Sequence, residues 1–241
     1  MGETETHDDE EGGATVTEAE WLANDDLWAM LTHLGAKRTE RKVRLFAVAC
    51  CRRVWRHLDA EHRLAVEVAE RVADGLADED ERSAVAYLVD GADAELNPED
   101  LESPRHLAEV AASWAIQSDQ SAEDEGTIDP DSECCATLTA QSAAQATRWK
   151  KREATLQGEL FRDIFGNPFR KLPKLKKTWL TETVVSLAAG IYAERAFDRM
   201  PILADALEDA GCDHADILNH CRGDGPHVRG CWVVDLILGK Q

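Results

Sequence analysis

The chain has 241 residues, a formal net charge of −20 at pH 7 and seven cysteines. No apolar run approaches the roughly 20 residues that a transmembrane helix needs. The start, MGETETHDDEEGG, lacks the basic and apolar regions of a signal peptide. We therefore expect a cytoplasmic protein without a membrane segment. The odd cysteine count and the two adjacent Cys-Cys pairs argue against a disulfide framework.

The first third of the chain predicts an acidic tail followed by short helices. Residues 1–15 lack apolar periodicity, which predicts a disordered tail. In VTEAEWL, Thr17 and Glu20 form a capping box ahead of an apolar run, so order is predicted to begin there. From Thr39 to Leu58, apolar residues recur at spacings of three and four, with most Arg and Lys on the other side. That pattern is typical of an amphipathic helix.

The rest of the chain is also predicted to be helical. The helical segments are AEHRLAVEVAERVADGL, 79–90, 104–117, about 132–165, WLTETVVSLAAGIYAERAF, ILADALEDA and HADILNHCR. Residues 118–133 are predicted to form an acidic loop, and 166–177 a basic connector. The final run, CWVVDLIL, fits a buried strand or a helix, and we favour a helix because a lone strand has no partner. The sequence thus predicts an all-α protein: one domain over 16–241, an irregular bundle of about nine or ten helices.

Positive charge is concentrated in two blocks. Residues 36–57 contain eight basic residues and one acid, and residues 148–177 contain ten and three. The simplest interpretation is that these blocks face acidic segments inside the same fold. An alternative is a nucleic-acid binder that uses both blocks, although the overall charge would repel a phosphate backbone at long range.

The second basic block also carries aromatic residues, an arrangement that could stack bases or bind an acidic protein. The competing interpretation is a helix whose aromatic face packs inward while its cations stay in solvent. Together with the acidic loop 118–133, this block is the candidate contact surface for a protein partner. Its candidate residues are Trp149, Lys150, Lys151, Arg152, Arg170, Lys171 and Lys174.

The C-terminal stretch HCRGDGPHVRGC is rich in residue types that bind metals. Its candidate ligands are His220, Cys221, His227 and Cys231, with Cys212 as a further thiol. The same residues raise the alternatives of a catalytic Cys/His pair and of a metal-dependent protein or enzyme, which would also draw on His214.

Spacing weighs against a metal in this stretch. Structural zinc sites usually take ligands in closely spaced pairs from two directions, and only His227 and Cys231 have such spacing. They would share a helical face if the last helix began by Val228. The sequence therefore favours a structural role, in which Pro226 fixes the entry to a packed final helix. No cofactor is expected, zinc being the alternative. The double substitution His227→Ala with Cys231→Ala is predicted to remove no metal.

Common catalytic motifs are absent from the sequence. It contains no phosphate-binding glycine loop, no H-E-x-x-H, no G-x-S-x-G, no C-x-x-C and no Glu-x-x-His pair. These absences favour a protein without catalytic activity. The sequence-level hypothesis is a non-catalytic protein-interaction or regulatory module with a protein partner.

Four segments resemble a large family of planctomycete proteins. They are TEAEWL (17–22), RKVRLFAVACCRRVW (41–55), LFRDIFGNPFR (160–170) and the stretch from AFDRMPILADALEDAG to HCRGDGPHVRGCWVVDLILGK (196–240). The resemblance runs from about residue 17 to the end and is faintest over the acidic stretch 78–147. The resemblance implies that the chain belongs to that family, but it does not imply any activity.

Overall fold

A computed structural model describes residues 16–23, 26–90, 101–117 and 135–240. This part of the chain contains twelve α-helices and no strand. The helices are α1 (Glu18–Ala23), α2 (Leu27–Leu34), α3 (Glu40–Arg53), α4 (Ala60–Ala73), α5 (Glu79–Asp90), α6 (Pro104–Ile116), α7 (Cys135–Gln145), α8 (Lys150–Phe165), α9 (Glu182–Glu194), α10 (Met200–Asp209), α11 (Ala215–Arg222) and α12 (Trp232–Leu238). The all-α multi-helix prediction is confirmed. No helix in these ranges is long and apolar enough to cross a membrane.

Local sequence signals account for several helix boundaries. The amide of Thr17 donates to the Glu20 carboxylate at 2.8 Å, and the amide of Glu20 donates to the Thr17 hydroxyl at 3.2 Å, which confirms the capping box. At α3 the Lys42 amide donates to the Thr39 hydroxyl at 3.4 Å, which makes Thr39 the N-cap. The final apolar run is helical, as predicted. The single helix predicted over 132–165 is wrong, because residues 146–149 separate α7 from α8. The predicted tail 1–15 and acidic loop 118–133 lie outside the described residues.

The buried apolar residues form two clusters. The first lies among α1 to α8 and centres on α3, whose residues 43–51 are all buried. Both Cys50 and Cys51 are fully buried there, and burial raises the pKa of Cys51 to about 12, so these thiols are core residues. The second cluster lies among α9 to α12. The basic connector 166–177 leads from one cluster to the other and is non-helical up to a short 3₁₀ turn at Lys177–Trp179.

Polar and charged side chains join the two clusters along a seam. Arg41 of α3 pairs with Asp235 of α12 at 2.6 Å and with Asp74 at 3.2 Å. The hydroxyl of Tyr192 on α9 donates to Asp74 at 2.7 Å. The first basic block therefore meets acidic residues inside the fold, in agreement with the simplest interpretation of the charge pattern.

Candidate metal centre

Three of the predicted ligand residues meet at one point of the seam. His220, His227 and Cys231 converge there with Asp163, and their ligand atoms all lie within 4.8 Å of one another. Cys221 is fully buried but is not part of this group. The structure thus brings three candidates together and adds a carboxylate that sequence reasoning missed.

The further candidates Cys212 and His214 also stay outside the group. Cys212 is buried in the second hydrophobic cluster. His214 precedes α11, and its Nδ1 is buried with no hydrogen-bond partner among the described residues.

Asp163 belongs to the last turn of α8, and the other three residues belong to the C-terminal stretch. His220 lies in the last turn of α11, whereas His227 and Cys231 lie in the chain between α11 and α12. The condition for a helical face shared by His227 and Cys231, a last helix that starts by Val228, is not met, because α12 begins only at Trp232. They converge through the path of the loop and not through helical periodicity.

Gly230 lets this loop approach the first cluster closely. Its φ is +93°, and a Cβ there would stand 3.1 Å from Leu45 Cδ1 and 3.5 Å from Ile164. Glycine adopts this backbone conformation without strain and has no Cβ to occupy the gap. The chain at residue 230 can therefore pack closely on α3 and α8, which brings the neighbouring Cys231 next to α8.

The four side chains point their polar atoms at a shared centre. Asp163 Oδ1 lies 2.7 Å from His227 Nδ1 and 3.1 Å from His220 Nε2. Cys231 Sγ lies 3.2 Å from the same His220 Nε2 and 4.0 Å from His227 Nδ1. The amide of Val228 donates to the other Asp163 oxygen, Oδ2, at 3.0 Å. This hydrogen bond fixes the carboxylate so that Oδ1 faces the centre.

The centre is buried, with one exposed edge. Cys231 is fully buried, the Asp163 and His227 side chains are 3% and 7% exposed, and that of His220 is 19% exposed. Burial opposes ionisation of Asp163, but hydrogen bonds from His220 and His227 outweigh it and hold the pKa of this carboxyl below its usual range. Burial, reinforced by the nearby Asp163 charge, raises the pKa of the Cys231 thiol well above its usual value.

This geometry does not fit a catalytic Cys-His-Asp triad. Such a triad needs the thiol on one imidazole nitrogen and the carboxylate on the other. Here Cys231 and Asp163 both approach Nε2 of His220. The raised pKa also keeps Cys231 in its unreactive thiol form at neutral pH. Convergence on a shared point is instead what ligands of one metal ion require.

A second group of potential metal ligands lies beside an arginine. Asp59, His62 and Glu109 lie close enough together to hold an ion. Arg105, however, pairs with Glu109 at 2.7 Å and approaches Asp59 at 3.5 Å. The guanidinium therefore already supplies a positive charge to both acids, which makes this group the weaker candidate for a metal ion.

A cleft of about 250 Å³ adjoins the exposed edge of the first group. His220 and Trp232 form part of its wall, with their rings 5.0 Å apart. Trp21, Arg170 and Lys171 contribute to the same cleft. Solvent can therefore reach His220 from this side.

The candidate contact surface of the second basic block divides between two places. Trp149, Lys150, Lys151 and Arg152 stand at the start of α8, and Trp149 is 68% exposed. Arg170 and Lys171 follow the other end of that helix, and Lys174 lies further along the same connector. The two sets therefore lie at opposite ends of α8, whose 16 residues span about 24 Å at about 1.5 Å per residue.

The role of Asp163 left only a faint signal in the sequence. It precedes His227 by 64 positions, so no spacing rule connects them. It does lie in the last turn of a helix, where the helix dipole disfavours a negative charge, and is followed at once by the buried Ile164 and Phe165. A buried acid in such a place needs compensation from elsewhere in the fold.

No protein-family model, no curated protein and no solved structure matches this chain.

Proposed function

We propose that this protein binds one zinc ion through Asp163, His220, His227 and Cys231, and that the ion holds the two hydrophobic clusters together. One observation carries the proposal: a ligand atom of α8 and three of the C-terminal stretch converge on one point. No Arg or Lys of the described residues pairs with Asp163 there. This conclusion departs from the sequence-level preference for a purely structural loop.

The donor set suits zinc. Imidazole nitrogen, thiolate sulfur and carboxylate oxygen are the usual ligands of this ion, at about 2.0–2.3 Å. A tetrahedron of that size separates its ligand atoms by about 3.3–3.8 Å. Four of the six separations here lie on both sides of this range, from 2.7 Å between Asp163 and His227 to 4.0 Å between Cys231 and His227, and all six are within 4.8 Å. Small side-chain shifts would accommodate the ion, and binding would release the thiol proton of Cys231.

Four protein ligands favour a structural role for the ion. Structural zinc sites are closed by four protein side chains, whereas catalytic sites keep a position open for water or substrate. Asp163 comes from the first cluster's α8, and the other three ligands come from the segment that packs into the second cluster. The ion would therefore tie the clusters together across the seam.

Elemental analysis of the purified protein with two cysteine variants tests this function. Wild-type protein is expected to contain about one zinc per chain. Cys231→Ala should lose it, while Cys221→Ala should keep it. The two residues make a matched pair, because both are fully buried thiols with raised pKa values and only Cys231 faces the other ligands.

Either of two results would refute the zinc proposal. One is wild-type protein that contains no metal and takes up none from a zinc buffer. The other is zinc retained in full by Cys231→Ala. If both cysteine variants fold poorly, Asp163→Asn supplies a third comparison, because it leaves both thiols in place.

A protein-interaction role is the second candidate, and it is supported by the exposed start of α8. Trp149 is 68% exposed and is flanked by the exposed cations Arg148, Lys150, Lys151 and Arg152. None of these four cations forms an ion pair within the described residues. An exposed indole among unpaired cations matches an acidic partner with an apolar contact residue.

Site-specific photo-crosslinking can test the interaction role. A crosslinker at position 149 should capture a protein that one at position 87 does not, because Tyr87 is equally aromatic and 84% exposed but lies on the acidic helix α5. Charge reversal at Lys150 and Lys151 should abolish the capture. Equal capture at positions 149 and 87 would contradict this role.

A further inference from the structure

Three arginines surround one buried carboxylate at another point of the seam. Glu70 of α4 is 3% exposed. Arg52 of α3 donates to it at 2.8 Å, Arg229 lies 3.1 Å from it, and Arg195 at the end of α9 makes a third ion pair with it. No other described carboxylate lies within ion-pair distance of these three guanidiniums. The group keeps two uncompensated positive charges in a chain whose net charge is −20.

A cavity of about 100 Å³ lies against this group. Its charged lining is Glu70 and the three arginines, and the rest is apolar, including Leu45 and Phe197. At about 30 Å³ per water molecule it has room for about three waters. It is too small for a typical organic ligand, whose pockets measure about 300 Å³ or more. A small oxyanion suits both its size and its charge.

Arg52 has a donor that lacks an acceptor. Its Nε is buried and has no hydrogen-bond partner among the described residues, although its terminal nitrogen donates to Glu70. Buried guanidinium donors are normally satisfied. An acceptor in the adjoining cavity would supply the missing bond.

Arg195 occupies a backbone position that suits glycine better. It is the one non-glycine residue in the described ranges with positive φ, at 53°, and it ends α9 in the left-handed conformation. Glycine is the usual residue there because a Cβ is disfavoured. An arginine in this position indicates that its guanidinium is needed where the backbone places it.

We propose that this three-arginine cavity binds a tetrahedral oxyanion, phosphate. Guanidinium donors match phosphate oxygens. Glu70 holds all three guanidiniums beside the cavity, and the carbonyls of Tyr192 and Ala193 also hold that of Arg229. The site is distinct from the proposed zinc centre, since none of the four zinc ligands lines the cavity. Its binding should therefore persist in Cys231→Ala.

Calorimetric titration of the full chain with sodium phosphate tests the site, with sodium chloride holding the ionic strength constant. Wild type should show saturable binding of one phosphate per chain. Arg195→Gly removes one guanidinium and relieves the strained backbone, and it should weaken binding about 10- to 100-fold. Arg199→Gly is the matched control, because Arg199 is an exposed arginine outside the cavity and precedes α10, where glycine is well tolerated. It should bind like wild type.

Two further titrants identify the form of the ligand. Sulfate should compete with phosphate, because it has the same tetrahedral shape. Phenyl phosphate tests whether the ligand is the free ion or a phosphate monoester. If it binds more weakly than phosphate, the site is assigned to the free ion; if it binds equally or more tightly, the site is assigned to a monoester.

Two results would overturn the phosphate proposal. One is the absence of saturable phosphate binding to wild type at millimolar concentration. The other is unchanged binding in Arg195→Gly. If Arg195→Gly failed to fold, Arg195→Lys would replace it, because lysine keeps the positive charge but lacks the paired donors of the guanidinium. Undiminished phosphate binding in Arg195→Lys would likewise refute the proposal.

Discussion

Two carboxylates at the seam are equally buried but compensated in different ways. Asp163 and Glu70 are each 3% exposed. Glu70 is held by three guanidiniums, whereas Asp163 is held by two imidazoles and a backbone amide. Guanidiniums keep their charge at every relevant pH, so the Glu70 environment is permanently positive. Imidazole and thiol can give up protons, so the Asp163 environment can accept a metal ion instead.

The same contrast explains why we propose only one of the two ligand groups as a metal centre. Asp59, His62 and Glu109 also gather two acids and an imidazole, but Arg105 pairs with both acids. A fixed cation takes the place that a metal would occupy. Ligand geometry alone therefore does not identify a metal site, and the neighbouring fixed charges have to be counted.

The largest expected effect is that of removing the proposed zinc. A site kept at about 1,000 times its dissociation constant in free zinc contributes about 4 kcal/mol of stability. Chelation should lower the melting temperature of wild type by about 10 °C, which circular dichroism can measure. Asp163→Asn should melt at one temperature with or without the chelator. If chelation left the melting temperature of wild type unchanged, Asp163 would not differ from Glu70 in holding a metal ion.

A somewhat smaller effect is expected at the arginine cluster. Glu70→Gln leaves three partly buried guanidiniums without a negative partner, which should cost about 3 kcal/mol of unfolding free energy. Urea denaturation measures the loss, and the zinc content of the variant should stay unchanged. Loss of zinc in Glu70→Gln would show that the two carboxylates act as one network.

Asp74 and Asp235 share Arg41 but should respond to pH in opposite directions. Burial alone would raise the pKa of the Asp74 carboxyl. Hydrogen bonds from Tyr192 and Lys240 outweigh this effect and hold the pKa below its usual value. Its stabilising effect is therefore complete above pH 4 or so and is lost as the pH falls through the folded-state value. Burial raises the pKa of the Asp235 carboxyl. Its contribution to the free energy of unfolding is therefore complete at low pH and is lost as the pH rises through the folded-state pKa.

Asparagine variants test these opposite slopes. The cost of Asp74→Asn should shrink as the pH falls from 7 to 3.5, while that of Asp235→Asn should grow. Urea denaturation at several pH values gives both costs. Parallel slopes would mean that Arg41 holds the two aspartates as one coupled group.

The smallest effect is expected at an exposed ion pair. Arg71 and Glu81 pair at 2.6 Å with side chains that are 43% and 39% exposed. Solvent screening leaves such pairs worth about 0.5 kcal/mol or less. Arg71→Ala should therefore lie within about 0.5 kcal/mol of wild type in urea denaturation. A larger loss would show that burial is not what separates strong from weak pairs in this protein.

Much of the fold could be predicted because its signals are local. The capping box at Thr17 and Glu20, the apolar periodicity of α3 and the final apolar run all reflect neighbours within a few residues. The break between α7 and α8 was missed, since residues 146–149 contain no glycine or proline to mark it.

The candidate site could be predicted only in part. His220, His227 and Cys231 were identified by residue type, but their meeting with Asp163 depends on the path of the loop and on the docking of α8. Sequence spacing also could not show that Cys221 points away from the group, or that α8 separates the two halves of the basic contact surface. Each of these is a tertiary relation with no counterpart in local spacing.

The close fit at Gly230 has a consequence for sequence variation. Residue 230 is constrained twice, by its φ of +93° and by Leu45 at 3.1 Å from a would-be Cβ. Gly190, inside α9, meets nothing within 4 Å, and Gly190→Ala should add about 1 kcal/mol of helix stability. In a library that randomises both positions, selection for folded protein should keep glycine at 230 and replace it freely at 190.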